Sequence, residues 1–288
     1  MDDKLPTVSL PSGEDWPALG LGTWRMGEAA SRRGAEVRAL RQAFELGYRL
    51  IDTAEMYGEG GAEELVGEAL AGAVAEGLLA REEVIVVSKV YPHNASRDGV
   101  VAACERSLRR LAIDRLDLYL LHWRGGVPLA ETVAGFEALQ RRGLIRRWGV
   151  SNFDRDDLHE LDGVPGGRAC SANQVYFSLS ERGVEFDLLP WQRSRQMPLM
   201  AYSPIDQGAL ADHPSLRAVA ERHATTPAQV ALAWVLQHDN VIAIPKAAQA
   251  LHLRHNLAAA RIALDAADRA ALDRVFPPPK RKLPLAMR

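Results

Sequence analysis

Four residues that could move a proton together stand near the ends of apolar runs in the first half of the chain. They are Asp52 and Tyr57 in RLIDTAEMYG, Lys89 in EVIVVSKVYP and His122 in RLDLYLLHW. A free tyrosine titrates near 10, too high for efficient proton donation and return close to neutrality. A lysine ammonium in contact with it would favour the phenolate and lower that value by about 1–3, and a carboxylate behind the lysine would keep the ammonium charged and oriented. Asp52, Lys89 and Tyr57 are therefore predicted to form a relay. His122, as a neutral imidazole, would position a carbonyl oxygen beside Tyr57. The group has no serine or sulfur nucleophile and no metal cage. Its chemistry is protonation of an oxygen that becomes negative as something else adds to carbon.

Taken singly, each residue also has a structural reading. Asp52 could cap the following turn, Tyr57 could be a packed loop aromatic, Lys89 could merely pair with Asp52, and His122 could be a satisfied core histidine. What favours chemistry is their recurrence at successive apolar run ends.

The segments around these four residues follow a regular plan. Short apolar runs (LGLGT, YRLID, EVIVVSK, RLDLYLLH, RRWGVSN, SANQVYF, PLMAYSP and NVIAIPK) alternate with amphipathic stretches such as GAEVRALRQAFELG, RDGVVAACERSLRRLA and TPAQVALAWVLQHD. Continuous apolar strands are buried on both faces, and buried parallel strands need helical crossovers. Eight such repeats predict an α/β fold, a (β/α)8 TIM barrel, and the 288 residues suit the single domain of about 250 typical of that fold. An open doubly wound sheet would need a GxGxxG turn opening a helix; GLGTWR has Arg25 in the sixth position and no helix directly behind it. Ahead of the barrel, TVSLPSGEDWPALG predicts a hairpin closing its bottom, and after it LDAADRAALDRVF predicts a helix followed by the Pro-rich tail PPPKRKLPLAMR. No linker marks a second domain within 1–288.

In such a barrel the strand C-termini face the active-site mouth. Further polar residues fall there: Ser151 and Asn152 on the fifth run, Gln174 in the sixth, Tyr202 and Ser203 on the seventh, Lys246 on the eighth. The chain has only five lysines (Lys4, Lys89, Lys246, Lys280 and Lys282), and two end apolar runs, where an ammonium is costly without a partner. Cys104 and Cys170 stand outside any CxxC pattern and are expected to be buried, inert thiols. A net charge of −2 gives no basis for nucleic-acid or anionic-membrane binding. The start MDDKLPTVSL lacks a signal-peptide pattern and no run reaches the ~18 apolar residues of a membrane span, so a cytoplasmic protein is expected.

These motifs resemble the aldo-keto reductases over nearly the whole length, from GLGTW through IDTAEMYG, VVSKVYP, LHW, WGVSNF, NQVYF, AYSP and IPK. The resemblance implies reduction of aldehydes and ketones with a nicotinamide cofactor held without a Rossmann domain. It makes Tyr57 the general acid, Lys89 and Asp52 its tuning partners and His122 the carbonyl-orienting residue. It also places Gly22, Thr23 and Trp24 at the nicotinamide end, Ser151, Asn152 and Gln174 on the carboxamide, and Tyr202 stacked on the ring. Ser203, Gly208 and Leu210 would lie near the pyrophosphate, with Lys246 on the adenosine 2′-phosphate and Asn256 among the cofactor contacts. NADPH is the expected cofactor and NADH a possible one, because Ala247, His252 and His255 stand where many relatives carry a hydroxyl residue, an Arg and a Glu. Arg254 offers a compensating cation. The His252/His255 pair has no third residue at metal-ligand spacing, so no metal is expected.

Trp24, Tyr57, Tyr91, His122 and Trp123 are the expected substrate pocket. The short RGGVPLAET stretch after His122 and the brief tail suit small or dicarbonyl aldehydes, and by analogy the methylglyoxal-reducing bacterial members. Two other readings stay open: a non-catalytic cofactor-binding regulatory module, and an aldolase using Lys89 as a Schiff-base nucleophile. Nothing in the sequence calls for assembly, so a monomer is expected.

Overall fold

A computed structural model describes residues 5–10 and 12–288. In chain order its elements are β1 (Thr7–Ser9), β2 (Asp15–Pro17), β3 (Leu21–Gly22), α1 (Arg33–Glu45), β4 (Leu50–Asp52), α2 (Gly61–Ala75), β5 (Ile85–Val90), α3 (Arg97–Leu111), β6 (Leu116–Leu121), α4 (Leu129–Arg141), β7 (Ile145–Ser151), α5 (Arg155–Asp162), β8 (Asn173–Tyr176), α6 (Leu188–Ser194), β9 (Leu199–Tyr202), α7 (Pro214–Arg222), α8 (Pro227–Leu236), β10 (Val241–Ala243), α9 (Ala250–Ala259) and α10 (Ala266–Val275). Each apolar run singled out above contains one of the strands β3 to β10, except that β5 runs one residue beyond its run to Val90 and β7 starts one residue before its run at Ile145.

Two compact units form. The larger comprises Leu21–Asn173 and Lys246–Ala250. Its strands β3 to β7 lie side by side in sequence order, all parallel, with α1 to α4 as the crossovers. Every residue of β6 is buried, as expected for a strand covered on both faces. Alternation along β5 is visible in its partners. Ser88 donates to Glu63 on α2 at 2.5 Å, while its neighbour Lys89 reaches Asp52 on β4. The helix layer packs on large side chains, with the rings of Phe136 and Trp148 stacked 5.2 Å apart. Ser96 caps α3 by accepting from the Gly99 amide, and Asp154 caps α5 through the Asp156 and Asp157 amides.

The other unit comprises the described residues up to Gly20 with Gln174–Pro245 and Leu251–Arg288. The hairpin β1–β2 pairs Thr7 with Pro17 and Ser9 with Asp15, as the sequence predicts; Pro11 of its turn lies outside the described residues. Leu19 then bridges Ala243, and β9 pairs in parallel with β10. A Thr226–Gln229 capping box with Pro227 in the first turn opens α8, and an Asp265–Asp268 box opens α10. Arg182 holds α10 down. It forms a two-pronged pair with Glu185, donates to Asp273 at 2.7 Å and to the Phe276 carbonyl, and lies over the Trp234 ring.

Both cysteines are buried, and burial pushes the Cys104 thiol up to about 12, so it is inert as expected. No helix among the described residues is long and apolar enough to cross a membrane.

Candidate active site

Strand register brings the four predicted residues together within the larger unit. Asp52 is paired with Val87 on the neighbouring strand, and Lys89, two residues further on, shares the face of Val87. The long lysine side chain reaches back to Asp52 Oδ2 at 2.7 Å. It also donates to the Thr53 carbonyl at 2.9 Å and to the Tyr57 hydroxyl oxygen at 3.1 Å. Lys89 has no solvent exposure, and these three acceptors match the three donors of an ammonium. His122 follows β6 directly, its amide donating to the Val90 carbonyl, and its ring stands edge-on to Tyr57 with centroids 5.8 Å apart.

The direction of one bond decides what this cluster can do. An ammonium has no acceptor, so Lys89 donates the hydrogen bond, the phenol oxygen accepts it, and the phenol's own O–H is directed elsewhere. Tyr57 thus keeps a proton that an incoming oxygen can take.

Electrostatics complete the assignment and correct one expectation. Loss of water around the hydroxyl is the largest effect on Tyr57. The Lys89 charge and hydrogen bond oppose it and the Asp52 charge adds to it, so the phenol lies above, not below, its ordinary value. The contact that was expected to lower it only offsets part of the burial. Burial acts against Lys89 too, but attraction to Asp52 and Tyr57 and the hydrogen bonds to both outweigh it and hold the lysine above its usual value. Burial, reinforced by the Lys89 charge, holds His122 well below the usual histidine range, which leaves the imidazole neutral. Its buried Nδ1 has no hydrogen-bond partner among the described residues. A lysine held charged with all its protons engaged is a poor Schiff-base nucleophile, which weighs against the aldolase reading.

Local backbone geometry explains IDTAEMYG. The Tyr57 amide donates to the Ala54 carbonyl, closing a turn, and Gly58 follows at φ +58°. A Cβ on Gly58 would lie 2.8 Å from the Gly27 backbone. Only glycine fits this approach without displacing Tyr57.

Residues 18–276 match the aldo/keto reductase family. Methylglyoxal reductase YeaE of Escherichia coli (strain K12) is 52% identical over 276 residues, 94% of this chain and 95% of that one. The chain belongs to the aldo/keto reductase family. A glyoxal reductase of Bacillus subtilis (strain 168) is 38% identical over 240 residues, 83% of this chain and 82% of that protein. Among solved structures, an aldo-keto reductase from Klebsiella pneumoniae in complex with NADPH superposes with a TM-score of 0.93 at 47% identity, covering 99% of each chain. The fold is thus the expected (β/α)8 class: eight parallel strands, β3 to β10, with a hairpin before them and a helix and tail after them.

The other residues predicted for this family's site separate by unit. In the larger one, Thr23 is fully buried and donates its hydroxyl to the Asp52 carbonyl, so it braces the end of β4. Gly22 bridges Lys246. Lys246 is exposed, so unlike Lys89 it needs no buried partner. Asn152, at φ +59°, donates to the His122 carbonyl at 3.1 Å and to Ser151 Oγ at 3.2 Å. Trp24 lies under the Arg25 guanidinium. Tyr91, Trp123 and His122 form a connected aromatic set, with Tyr91 and Trp123 at 5.9 Å and His122 and Trp123 at 4.9 Å.

In the other unit, Gln174 and Asn256 are buried and Leu210 is core. Ser203 has φ +49°, and Gly208, at φ +97°, has open space where a Cβ would stand. Tyr202 stacks on Tyr176, centroids 5.8 Å apart. Tyr176 is a residue the sequence reading missed, although its position two after Gln174 on one strand puts both on one face. It donates to Asp206 at 2.5 Å, and burial together with that carboxylate pushes its phenol up to about 12. No group of three or more metal-ligating side chains occurs among the described residues.

Proposed function

We propose that this protein reduces small aldehydes and ketones to alcohols with NADPH, Tyr57 acting as the general acid. The observation that carries the reading is the fully engaged, buried Lys89 donating to the Tyr57 oxygen, which leaves the phenol proton for the substrate. Asp52 keeps Lys89 charged, and the charge stabilises the phenolate left behind. His122 is neutral and donates a hydrogen bond to the same carbonyl oxygen, fixing it beside Tyr57. A bound nicotinamide supplies the hydride to the carbonyl carbon.

The donor set fits such a cofactor. Lys246 is an exposed cation suited to a phosphate, Ser151 and Asn152 are polar partners for a carboxamide, and Tyr202 offers an aromatic face for a ring. NADPH is preferred over NADH because of Lys246 and because the Klebsiella pneumoniae structure holds NADPH. Gln174, Ser203, Gly208, Leu210 and Asn256 keep the cofactor roles that family membership suggests, as do Gly22, Thr23 and Trp24. Methylglyoxal is the first substrate to try, since the Escherichia coli relative is named for its reduction. Trp24, Tyr91 and Trp123 would enclose it. We further propose a cytoplasmic monomer acting as one domain and binding no nucleic acid.

Loss of NADPH absorbance on addition of methylglyoxal, with chromatographic detection of the hydroxy product, tests this reading. Stoichiometric alcohol formation is expected, faster with NADPH than with NADH. Binding of NADPH without oxidation across a broad aldehyde panel would contradict it and support a regulatory module.

A further inference from the structure

Between Asp52 and Tyr57 lies an acidic residue with no part in the chemistry above. Glu55 is 6% exposed, yet its carboxylate is fully engaged. Oε1 accepts from the Tyr91 amide at 2.8 Å and from Asn94 Nδ2 at 3.1 Å, and Oε2 accepts from Arg106 Nη2 on α3 at 3.3 Å. The Glu55 amide in turn donates to the Lys89 carbonyl at 3.3 Å. Glu55 is the second residue of the Ala54–Tyr57 turn, so the residue holding the end of β5 is also inside the turn that carries the phenol. Downstream of Tyr57 the chain is pinned at Gly58 against Gly27. Upstream, the backbone of Thr53 and Glu55 pairs with β5, and the side chain of Glu55 adds a tie beyond it, to Tyr91, Asn94 and α3.

We propose that Glu55 is a positioning residue for the proton donor: it clamps the Tyr57 turn to the strand end that carries Lys89 and so sets the Tyr57–Lys89 contact. The consequence for turnover rests on the proposed function; the consequence for geometry does not. A carboxylate is needed because three donors converge on it from the backbone of Tyr91, the side chain of Asn94 and the guanidinium of Arg106. An apolar replacement leaves all three without this acceptor. Glutamine keeps an acceptor for Tyr91 and Asn94 but turns an N–H₂ toward Arg106. The 3.1 Å contact between Lys89 and Tyr57 sits close to the limit of a good hydrogen bond, so a small displacement of the turn breaks it.

The experiment pairs crystal structures of Glu55→Ala and Glu55→Gln with their kcat and KM for methylglyoxal and their Kd for NADPH, measured by fluorescence. In Glu55→Ala the Tyr57 hydroxyl is expected to move beyond ~3.5 Å from Lys89 Nζ. Its kcat is expected to fall by about 10–100-fold while KM and Kd stay within about twofold, as misplacement of a reacting group requires. Glu55→Gln should show the same changes at about threefold in kcat, and it decides alone if the alanine variant does not fold. A retained contact in the folded variants overturns the proposal, whether or not kcat changes. A lost contact with native kcat would leave Glu55 as the clamp and overturn the contribution of the Lys89 contact to turnover. If the native protein oxidises no NADPH, the proposed function fails and the distance still decides the role of Glu55.

Discussion

Lys89 donates to the phenol oxygen of Tyr57 across 3.1 Å, from an ammonium with no solvent exposure whose other protons go to Asp52 and to the Thr53 carbonyl. The cation is therefore fixed in place before a substrate arrives. The proton delivery proposed for Tyr57 needs no rearrangement of the charged groups, only an oxygen within reach of the phenol.

The pH response of carbonyl reduction follows from the two shifted groups. The proposed reaction needs protonated Tyr57, whose value burial raises above 10, so activity should persist through mildly alkaline pH and fall only as pH passes that raised value. His122 is held well below 6.5 and stays neutral, so no acidic limb should appear between pH 6 and 7. A profile of kcat against pH checks both limbs; an inflection near 6.5 that disappears in His122→Asn would contradict the second.

Asp52→Asn should damage both activity and stability. The buried lysine loses its anionic partner, desolvation then acts unopposed by that charge, and Lys89 becomes easier to deprotonate. We expect kcat to fall by about 100-fold and stability by about 2–4 kcal/mol. Steady-state rates and urea unfolding measure the two effects separately.

Gly58→Ala is expected to lower kcat by about tenfold or more, since the added Cβ must push the backbone beside Tyr57 away from Gly27 or force the turn out of φ +58°. Gly126→Ala, where the space is open, should be close to neutral. Comparing the two at equal folded fraction, by near-ultraviolet circular dichroism, checks the claim.

Cofactor choice is expected to depend on Lys246. Lys246→Met should weaken NADPH by about 10–100-fold and leave NADH within about threefold, because only NADPH carries the 2′-phosphate. Fluorescence titration with both cofactors reads this directly; equal weakening of the two would contradict it.

Much of this was legible in the sequence because buried parallel strands announce themselves as apolar runs, and a polar residue at the end of such a run is unusual. Asp52, Lys89 and His122 were readable for that reason. The helices α5 and α6 carry weaker signals: α5 is the charged RDDLHELD, held by its Asp154 cap, and α6 has Pro190 inside LLPWQRS. The direction of the Tyr57 shift was not legible, since it depends on how far burial outweighs a neighbouring charge, and spacing does not report burial. The contacts of Glu55, Thr53 and Tyr176 were hidden for a related reason. Glu55 and Tyr176 look like ordinary polar residues until their partners are known, and Thr53 contributes through a backbone carbonyl that no residue type reveals.

The most direct test of the central claim compares single-turnover oxidation of bound NADPH by methylglyoxal in the native protein and in Tyr57→Phe. The account predicts an unchanged NADPH Kd and a rate lower by about 10²–10⁴-fold in the variant, the contribution of a lost general acid. An equal rate in both proteins would contradict it, because the proton would then come from a group other than Tyr57.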